Sequence, residues 1–163
     1  DVASRTVRGT TNGFSPFAIL QLPPPPAPSL STDELLFVRA SDNALAAFHV
    51  NTRVTRLIVA GAVETPALSP DRRTIAYVRR VANRGQVMLA DFDGQNIRPL
   101  TNGQLNDGSP SFSADGLRVF FSRDLTGGGN WKVMSAAVIV GAETQHTFAT
   151  NGTFPNDFTP VAD

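Results

Sequence analysis

Short apolar runs separated by polar turns recur along this chain in a fixed order. The clearest instance spans Gly61 to Gly103. Thr65-Pro66-Ala67-Leu68 leads into Ser69-Pro70-Asp71, followed by the apolar run Ile75-Ala76-Tyr77-Val78 and a polar loop. A second run, Val87-Met88-Leu89-Ala90, comes next, then an Asp93-Gly94 turn and a last segment ending Leu100-Thr101-Asn102-Gly103. Apolar runs of this length, bounded by Gly, Pro, Asn and Asp, predict β-strands, and no stretch carries the 3.6-residue periodicity of a helix. The unit thus predicts four short strands. In the second strand Ile75 and Tyr77 face one side and Ala76 and Val78 the other, so an apolar surface results on both faces. Leu35 to Val38 and Val119-Phe120-Phe121 read the same way. Each sheet therefore requires a neighbour on either side.

The marker Thr-Asn-Gly fixes the phase of the pattern. It stands at Thr11-Asn12-Gly13, Thr101-Asn102-Gly103 and Thr150-Asn151-Gly152, with a weaker Val59-Ala60-Gly61 between the first two, and the glycines lie 48, 42 and 49 residues apart. A period in the forties with four strands per unit is the signature of β-propeller blades. A proline follows each marker, at Pro16, Pro66, Pro110 and Pro160, which suits an exposed entry into the innermost strand of a blade. The expected fold is all-β: about three repeats of four-stranded antiparallel blades, forming a partial or open propeller.

Residues 1–12 read as the tail of a preceding repeat, 13–61 as a first blade, 61–103 as a second, 103–152 as a third and 153–163 as the start of a further repeat. In the first blade Ser15 to Leu20 supplies the inner strand, Leu35 to Val38 the second, Leu45 to Phe48 the third and Val54 to Val59 the fourth. Asn51-Thr52 stands where Asp93-Gly94 makes a two-residue hairpin signal in the second. In the third, Ser113-Ala114-Asp115-Gly116 links two strands, a glycine-rich loop runs from Asp124 to Asn130, and Trp131 opens the next strand. The first blade carries an insertion, Pro23-Pro24-Pro25-Pro26-Ala27-Pro28. Consecutive prolines impose polyproline II geometry and supply no backbone donor, so this segment leaves the sheet as a stiff surface arm, either a rigid loop or a docking arm for a protein.

Composition narrows the function. The chain has 163 residues, 41% of them hydrophobic, with no cysteine and a formal net charge of zero. Disulfide scaffolds, thiol catalysis and cysteine-ligated zinc are excluded together. The 13 arginines and single lysine are spread along the chain, which argues against a nucleic-acid surface or an anionic-membrane anchor. No apolar run approaches a transmembrane span. The chain begins at Asp1 without methionine, so a processed or trimmed amino terminus is expected. Because it starts and stops in mid-repeat, three outcomes are open: a slice of a longer propeller, two copies paired into a six-bladed ring, or an arc that packs into a larger assembly, the first and last being favoured.

Candidate chemistry is sparse. No G-x-S-x-G elbow occurs, and Ser69 and Ser113 read as turn residues. His49 and His146 lack a metal-ligand partner at a suitable spacing and read as blade-edge residues. Asp91-Phe92-Asp93-Gly94-Gln95-Asn96 resembles the start of a calcium loop, but the bidentate glutamate expected later is missing, and a hairpin turn is the better reading. Asn151-Gly152-Thr153 matches a glycosylation sequon only by coinciding with the repeat marker. Arg72, Arg73, Arg79, Arg80 and Arg84 cluster as a solvated loop and strand edge, or as a site for an acidic partner. No catalytic residue, cofactor or metal is expected. The candidate partner-binding residues are Pro23, Pro24, Pro25, Pro26, Arg79, Arg80, Arg84 and Trp131.

Pro66-Ala67-Leu68-Ser69-Pro70-Asp71 with Ile75-Ala76-Tyr77, then Asp91-Phe92-Asp93-Gly94 and Leu100-Thr101, resembles the TolB-type, WD-repeat-like propeller motif. Pro110-Ser111-Phe112-Ser113-Ala114-Asp115-Gly116 repeats it. Arg72 replaces the expected turn glycine, Leu68 the usual aromatic, and Ser31-Thr32-Asp33-Glu34 is a remnant of the turn. The resemblance implies a non-enzymatic, protein-binding or scaffolding subunit of a bacterial envelope assembly, periplasmic or extracellular. It is also compatible with the non-catalytic propeller of a prolyl-oligopeptidase-like hydrolase, or the extracellular sensor domain of a membrane receptor. The motif residues are structural and bring no catalytic residue with them.

Overall fold

The computed structural model describes residues 29–139 and 142–146. The expected preceding-repeat tail, the inner strand from Ser15 to Leu20, the proline arm from Pro23 to Pro28, the first and last Thr-Asn-Gly markers, the sequon and the start of a further repeat lie outside the described residues. Among the described residues eleven strands occur, in the order β1 (Glu34–Arg39), β2 (Ala44–His49), β3 (Thr55–Val59), β4 (Val63–Leu68), β5 (Thr74–Val81), β6 (Arg84–Asp91), β7 (Arg98–Pro99), β8 (Asn106–Phe112), β9 (Arg118–Asp124), β10 (Trp131–Ala137) and β11 (Glu143–Gln145). They form three antiparallel sheets, ordered β1-β2-β3, β4-β5-β6-β7 and β8-β9-β10-β11. The expected all-β, blade-like architecture is therefore present. Among the described residues no helix is long and apolar enough to cross a membrane.

The middle sheet is buried on both faces, as its continuous apolar strands require. Ile75, Tyr77, Met88 and Ala90 pack against Leu45, Ala47 and Ile58 of the first sheet. Ala76, Val87 and Leu89 pack against Val119, Phe121, Met134 and Ala136 of the third. Each large side chain buried in this way contributes about 1.5–3 kcal/mol, so the two interfaces hold the stack together. The outer face of the first sheet differs from expectation: Leu35 is 59% and Leu57 53% exposed there. Among the described residues, large apolar side chains are buried on both faces only in the middle sheet, which has a neighbour on each side.

The Ser-x-Asp turn links β4 to β5 and β8 to β9 by one mechanism. In the third sheet the Ser113 hydroxyl donates to Asp115 (2.6 Å) and accepts from the Arg118 N–H (3.0 Å), while the Gly116 N–H closes the turn on the Ser113 carbonyl (2.9 Å). In the second, Ser69, Asp71, Arg72 and Thr74 repeat these bonds. The turn demands the left-handed region at its fourth position, where Gly116 has φ +73° and Arg72 φ +60°. Arg72 offsets the steric cost by docking on the turn before it: its guanidinium donates to the Leu30 carbonyl (2.9 Å) and to that of Ser31, and the Leu30 N–H donates to the Arg72 carbonyl (2.8 Å). The closing Leu-Thr pair has an equally local cause. Thr101 is 2% exposed, and its hydroxyl accepts from the Val87 N–H (3.1 Å), pinning the outer edge of the second sheet.

Two turn expectations are corrected. Asp93-Gly94 is not a two-residue hairpin. The Asp91 N–H donates to the Gln95 carbonyl and the Gly94 N–H to the Asp91 carbonyl, so the loop has three residues and ends on Gly94 at φ +84°. Pro66 and Pro110 do not mark strand entries either. They lie inside β4 and β8, where the register shifts between Glu64 and Ala67 and between Gly108 and Ser111. A β-bulge on an edge strand accommodates a residue with no N–H, because no ladder bond is lost there.

Candidate functional site

The junction of the second and third sheets gathers most of the unusual chemistry. Its two first strands, β4 and β8, lie side by side, and in each the residue before the bulge proline is left-handed: Thr65 at φ 43° and Ser109 at φ 49°. For a β-branched residue such as Thr65 this backbone is costly, on the order of 1–3 kcal/mol, and it persists only where surroundings enforce it. Here the surroundings are tight. A Cβ on Gly85 would stand 2.0 Å from the Asp107 carbonyl oxygen, and the Gly85 N–H donates to the Asn106 side chain (2.8 Å).

Behind the bulges lies a buried ion-pair triad. Arg123 donates to both oxygens of Asp107 and both of Glu143, with side chains 6% exposed for Arg123 and 0% for Asp107. Its guanidinium also stands 5.1 Å from the Phe121 ring centroid. Burial works against the Arg123 charge, but the bonds to Asp107 and Glu143 outweigh it and raise the pKa further above its usual value. Removing either member of the Arg123–Asp107 pair would strand a charge in the interior, which makes the triad a lock on the geometry of β8 and β9.

Two clefts open at the end of this junction where β5 turns into β6. The smaller, about 190 Å³, is bounded by Glu64, Thr65, Arg80, Ser109 and Trp131. At its rim Arg80 donates to Glu64 (3.0 Å), both side chains being roughly half exposed. The larger, about 440 Å³, runs between the Ala82-Asn83 hairpin tip, Arg84 and the loop from Asp124 to Gly127. Arg84 donates to the Gln104 carbonyl (2.9 Å). The Asp124 carboxylate shapes the other wall by accepting from the backbone N–H groups of Thr126, Gly127, Gly129 and Asn130. Burial pushes the Asp124 carboxyl up, and those N–H groups more than reverse this, so it stays below its ordinary value.

Of the candidate residues, Arg80, Arg84 and Trp131 are brought to one end of one junction. Arg79 is not. Its guanidinium lies 5.7 Å from the Tyr77 ring centroid and donates to the Tyr77 hydroxyl (3.2 Å), on the face toward the first sheet. The strand period of two separates Arg79 from Arg80 and was legible before the structure. Pro23, Pro24, Pro25 and Pro26 lie outside the described residues. Sequence reasoning missed the Arg123–Asp107–Glu143 triad, because its members are far apart in the chain and only the pairing of β8 to β11 brings them together. Ser69 and Ser113 are turn residues, as their hydrogen bonds show. His49 accepts from the Thr52 N–H (3.4 Å), and His146 shares a hydrogen bond with Ser135 (2.8 Å). Among the described residues no group of three or more His, Asp or Glu is placed to hold a metal.

Stacked antiparallel sheets whose first strands lie together define blades of a β-propeller, and comparison with known proteins narrows the type. No protein-family model matches the chain. The Tol-Pal system protein TolB of Myxococcus xanthus is 43% identical over 54 residues, covering 33% of this chain and 12% of that protein. The crystal structure of TolB from Acinetobacter baumannii matches with a TM-score of 0.61 at 16% identity, covering 71% of this chain and 30% of that one. A putative TolB from Agrobacterium tumefaciens matches with a TM-score of 0.61 at 18% identity, covering 78% of this chain and 48% of that one. The fold is thus that of a TolB-like β-propeller, and the chain spans less than half the length of each of these relatives.

Proposed function

We propose that this chain is a non-enzymatic TolB-like propeller module that binds a protein partner within a bacterial envelope assembly, outside the cytoplasm. The observation that carries this reading is the convergence of Arg80, Arg84 and Trp131 on the clefts beside two strained, bulged strands, within a TolB-like fold. Arginine and tryptophan are the residues that anchor protein interfaces, and the Glu64, Asp107 and Asp124 carboxylates around them are engaged in bonds within the chain. The partner surface that suits two arginines beside an indole is acidic with an apolar centre. The proline arm from Pro23 to Pro28 is proposed as a second, separate contact of the same partner.

The test is site-specific photo-crosslinking in the native host, with the reactive group placed at Trp131 or, as a control, at the exposed Arg53. A discrete crosslinked protein obtained only from position 131, and lost on Arg80→Glu with Arg84→Glu, is the expected result. Equal crosslinking from both positions, or none from position 131, overturns the reading.

A further inference from the structure

Arg72 and Gly116 occupy the same left-handed position in successive Ser-x-Asp turns, and both face the turn before their own. The Arg72 side chain fills the first of these gaps by bonding to the Leu30 and Ser31 carbonyls. Gly116 has no side chain to fill the second. Its Cβ direction points at Pro70, 3.6 Å away, and a cavity of about 300 Å³ remains between the two turns. It is lined by Pro70, Asp71, Asp115, Leu117, Val138 and Ile139 among others, with no Lys or Arg in the lining.

Two features of the lining suit a cation with an apolar neighbour. The hydrogen bonds of Asp71 and Asp115 to their own turns all fall on Oδ1, from Ser69 and Arg73 in one case and Ser113 and Leu117 in the other. Each Oδ2 therefore keeps its acceptor capacity. The Ser69 and Ser113 hydroxyls hold these carboxyls below their ordinary value, with a smaller contribution from Arg73 and Arg118, which stand outside the cavity as does Arg98, bonded to the Val138 carbonyl (2.8 Å). Beside them Leu117 is 61% and Ile139 86% exposed, an apolar platform at the cavity mouth.

We propose that this cavity receives an arginine side chain flanked by apolar residues, presented by an extended segment of a protein partner. The guanidinium takes the place at this junction that Arg72 takes at the preceding one. A planar fork reaches carboxylate oxygens and turn carbonyls together, which a point-like ammonium does not. The apolar flanks cover Leu117 and Ile139. The proposal rests on the reading of the chain as a protein-binding module, but the cavity lies at the opposite end of the junction from Arg84 and Trp131. Failure here leaves the crosslinking result at Trp131 untouched, and the converse also holds.

The experiment is a titration of the whole chain, observed by amide NMR shifts of Gly116 and Leu117, with acetyl-Leu-Arg-Leu-amide and its acetyl-Leu-Gln-Leu-amide counterpart. The arginine peptide is expected to give saturable shifts at both amides, with at least a tenfold lower affinity for the glutamine peptide. Gly116→Arg, which plugs the cavity from within, should abolish the shifts. Asp71→Asn with Asp115→Asn keeps the turn acceptors, removes the charge and should weaken binding at least tenfold, a readout that stands even if Gly116→Arg does not fold. The proposal is overturned by no saturable shift, by equal affinity for the two peptides, or by binding that survives either variant.

Discussion

Gly85 lacks a side chain because there is no room for one: its Cβ would stand 2.0 Å from the Asp107 carbonyl oxygen and 3.0 Å from a methyl of Val78. Backbone cannot yield as a flexible side chain can, so Gly85→Ala forces β6 away from β8 and costs about 1–3 kcal/mol, the usual range for overpacking. Gly128→Ala is the control, since its Cβ would meet only the Thr126 hydroxyl at 3.7 Å. Urea unfolding of the two variants checks this; equal midpoints would show that the sheets slide apart without cost. None of this was legible in the sequence, where Gly85 sits in a stretch that reads as an ordinary polar loop. The role of Arg72 was hidden for the same reason. Its substitution for glycine was visible, but the carbonyls that reward it are some forty residues away.

Elements fared better than residues, because their signals are local. The runs at Ile75–Val78 and Val87–Ala90 lie within β5 and β6, and Trp131 opens β10 as its position after a glycine-rich loop suggests. The bulges in β4 and β8 were missed, since Thr65-Pro66 and Ser109-Pro110 read as strand starts unless the pairing on both sides of the proline is known. The repeated turn carries a testable pH dependence. The Ser69 hydroxyl beside Asp71 and the Ser113 hydroxyl beside Asp115 hold both carboxyls below their usual value. A carboxyl depressed in the folded state stabilises the fold fully above its unfolded pKa, about 3.9, and loses that contribution as pH falls through the folded value. Thermal midpoints should therefore drop steeply below about pH 4. Asp71→Asn with Asp115→Asn should lower the midpoint at pH 7 and flatten the acid limb. An unchanged acid limb would show that other carboxyls, such as Asp124 or the Arg56-bonded Glu34, dominate it.

At the scale of the whole molecule the stack has two unlike ends. The outer face of the first sheet carries Leu35, Phe37, Phe48 and Leu57, which the register places on one side around the fully buried Ala46. The outer face of the third also carries Phe120 and Val133, but beside a polar network, with the Phe120 ring packed on His146 (5.4 Å between centroids). Arg118 donates to Ser135 (2.9 Å) and Thr144 (3.1 Å), and Ser135 is bonded in turn to His146 (2.8 Å). A polar outer face is what lets a terminal repeat meet water, whereas an apolar one invites a partner. The three sheets of the described residues are also fewer than the four to eight blades that close a propeller ring. The unlike ends make head-to-tail closure by a second copy unfavourable, because apolar Leu35 and Leu57 would then meet Arg118 and His146. The isolated 163-residue chain is therefore expected to associate through its first sheet, face to face with itself, and to bind an apolar dye at low concentration, where the face is free. Covering a leucine of this kind is worth about 1.5–3 kcal/mol, so Leu35→Lys with Leu57→Lys should return the chain to a monomer, whereas Ser135→Ala should not. Size-exclusion chromatography with light scattering decides the matter, and a wild-type monomer that binds no dye and unfolds cooperatively would sink the prediction.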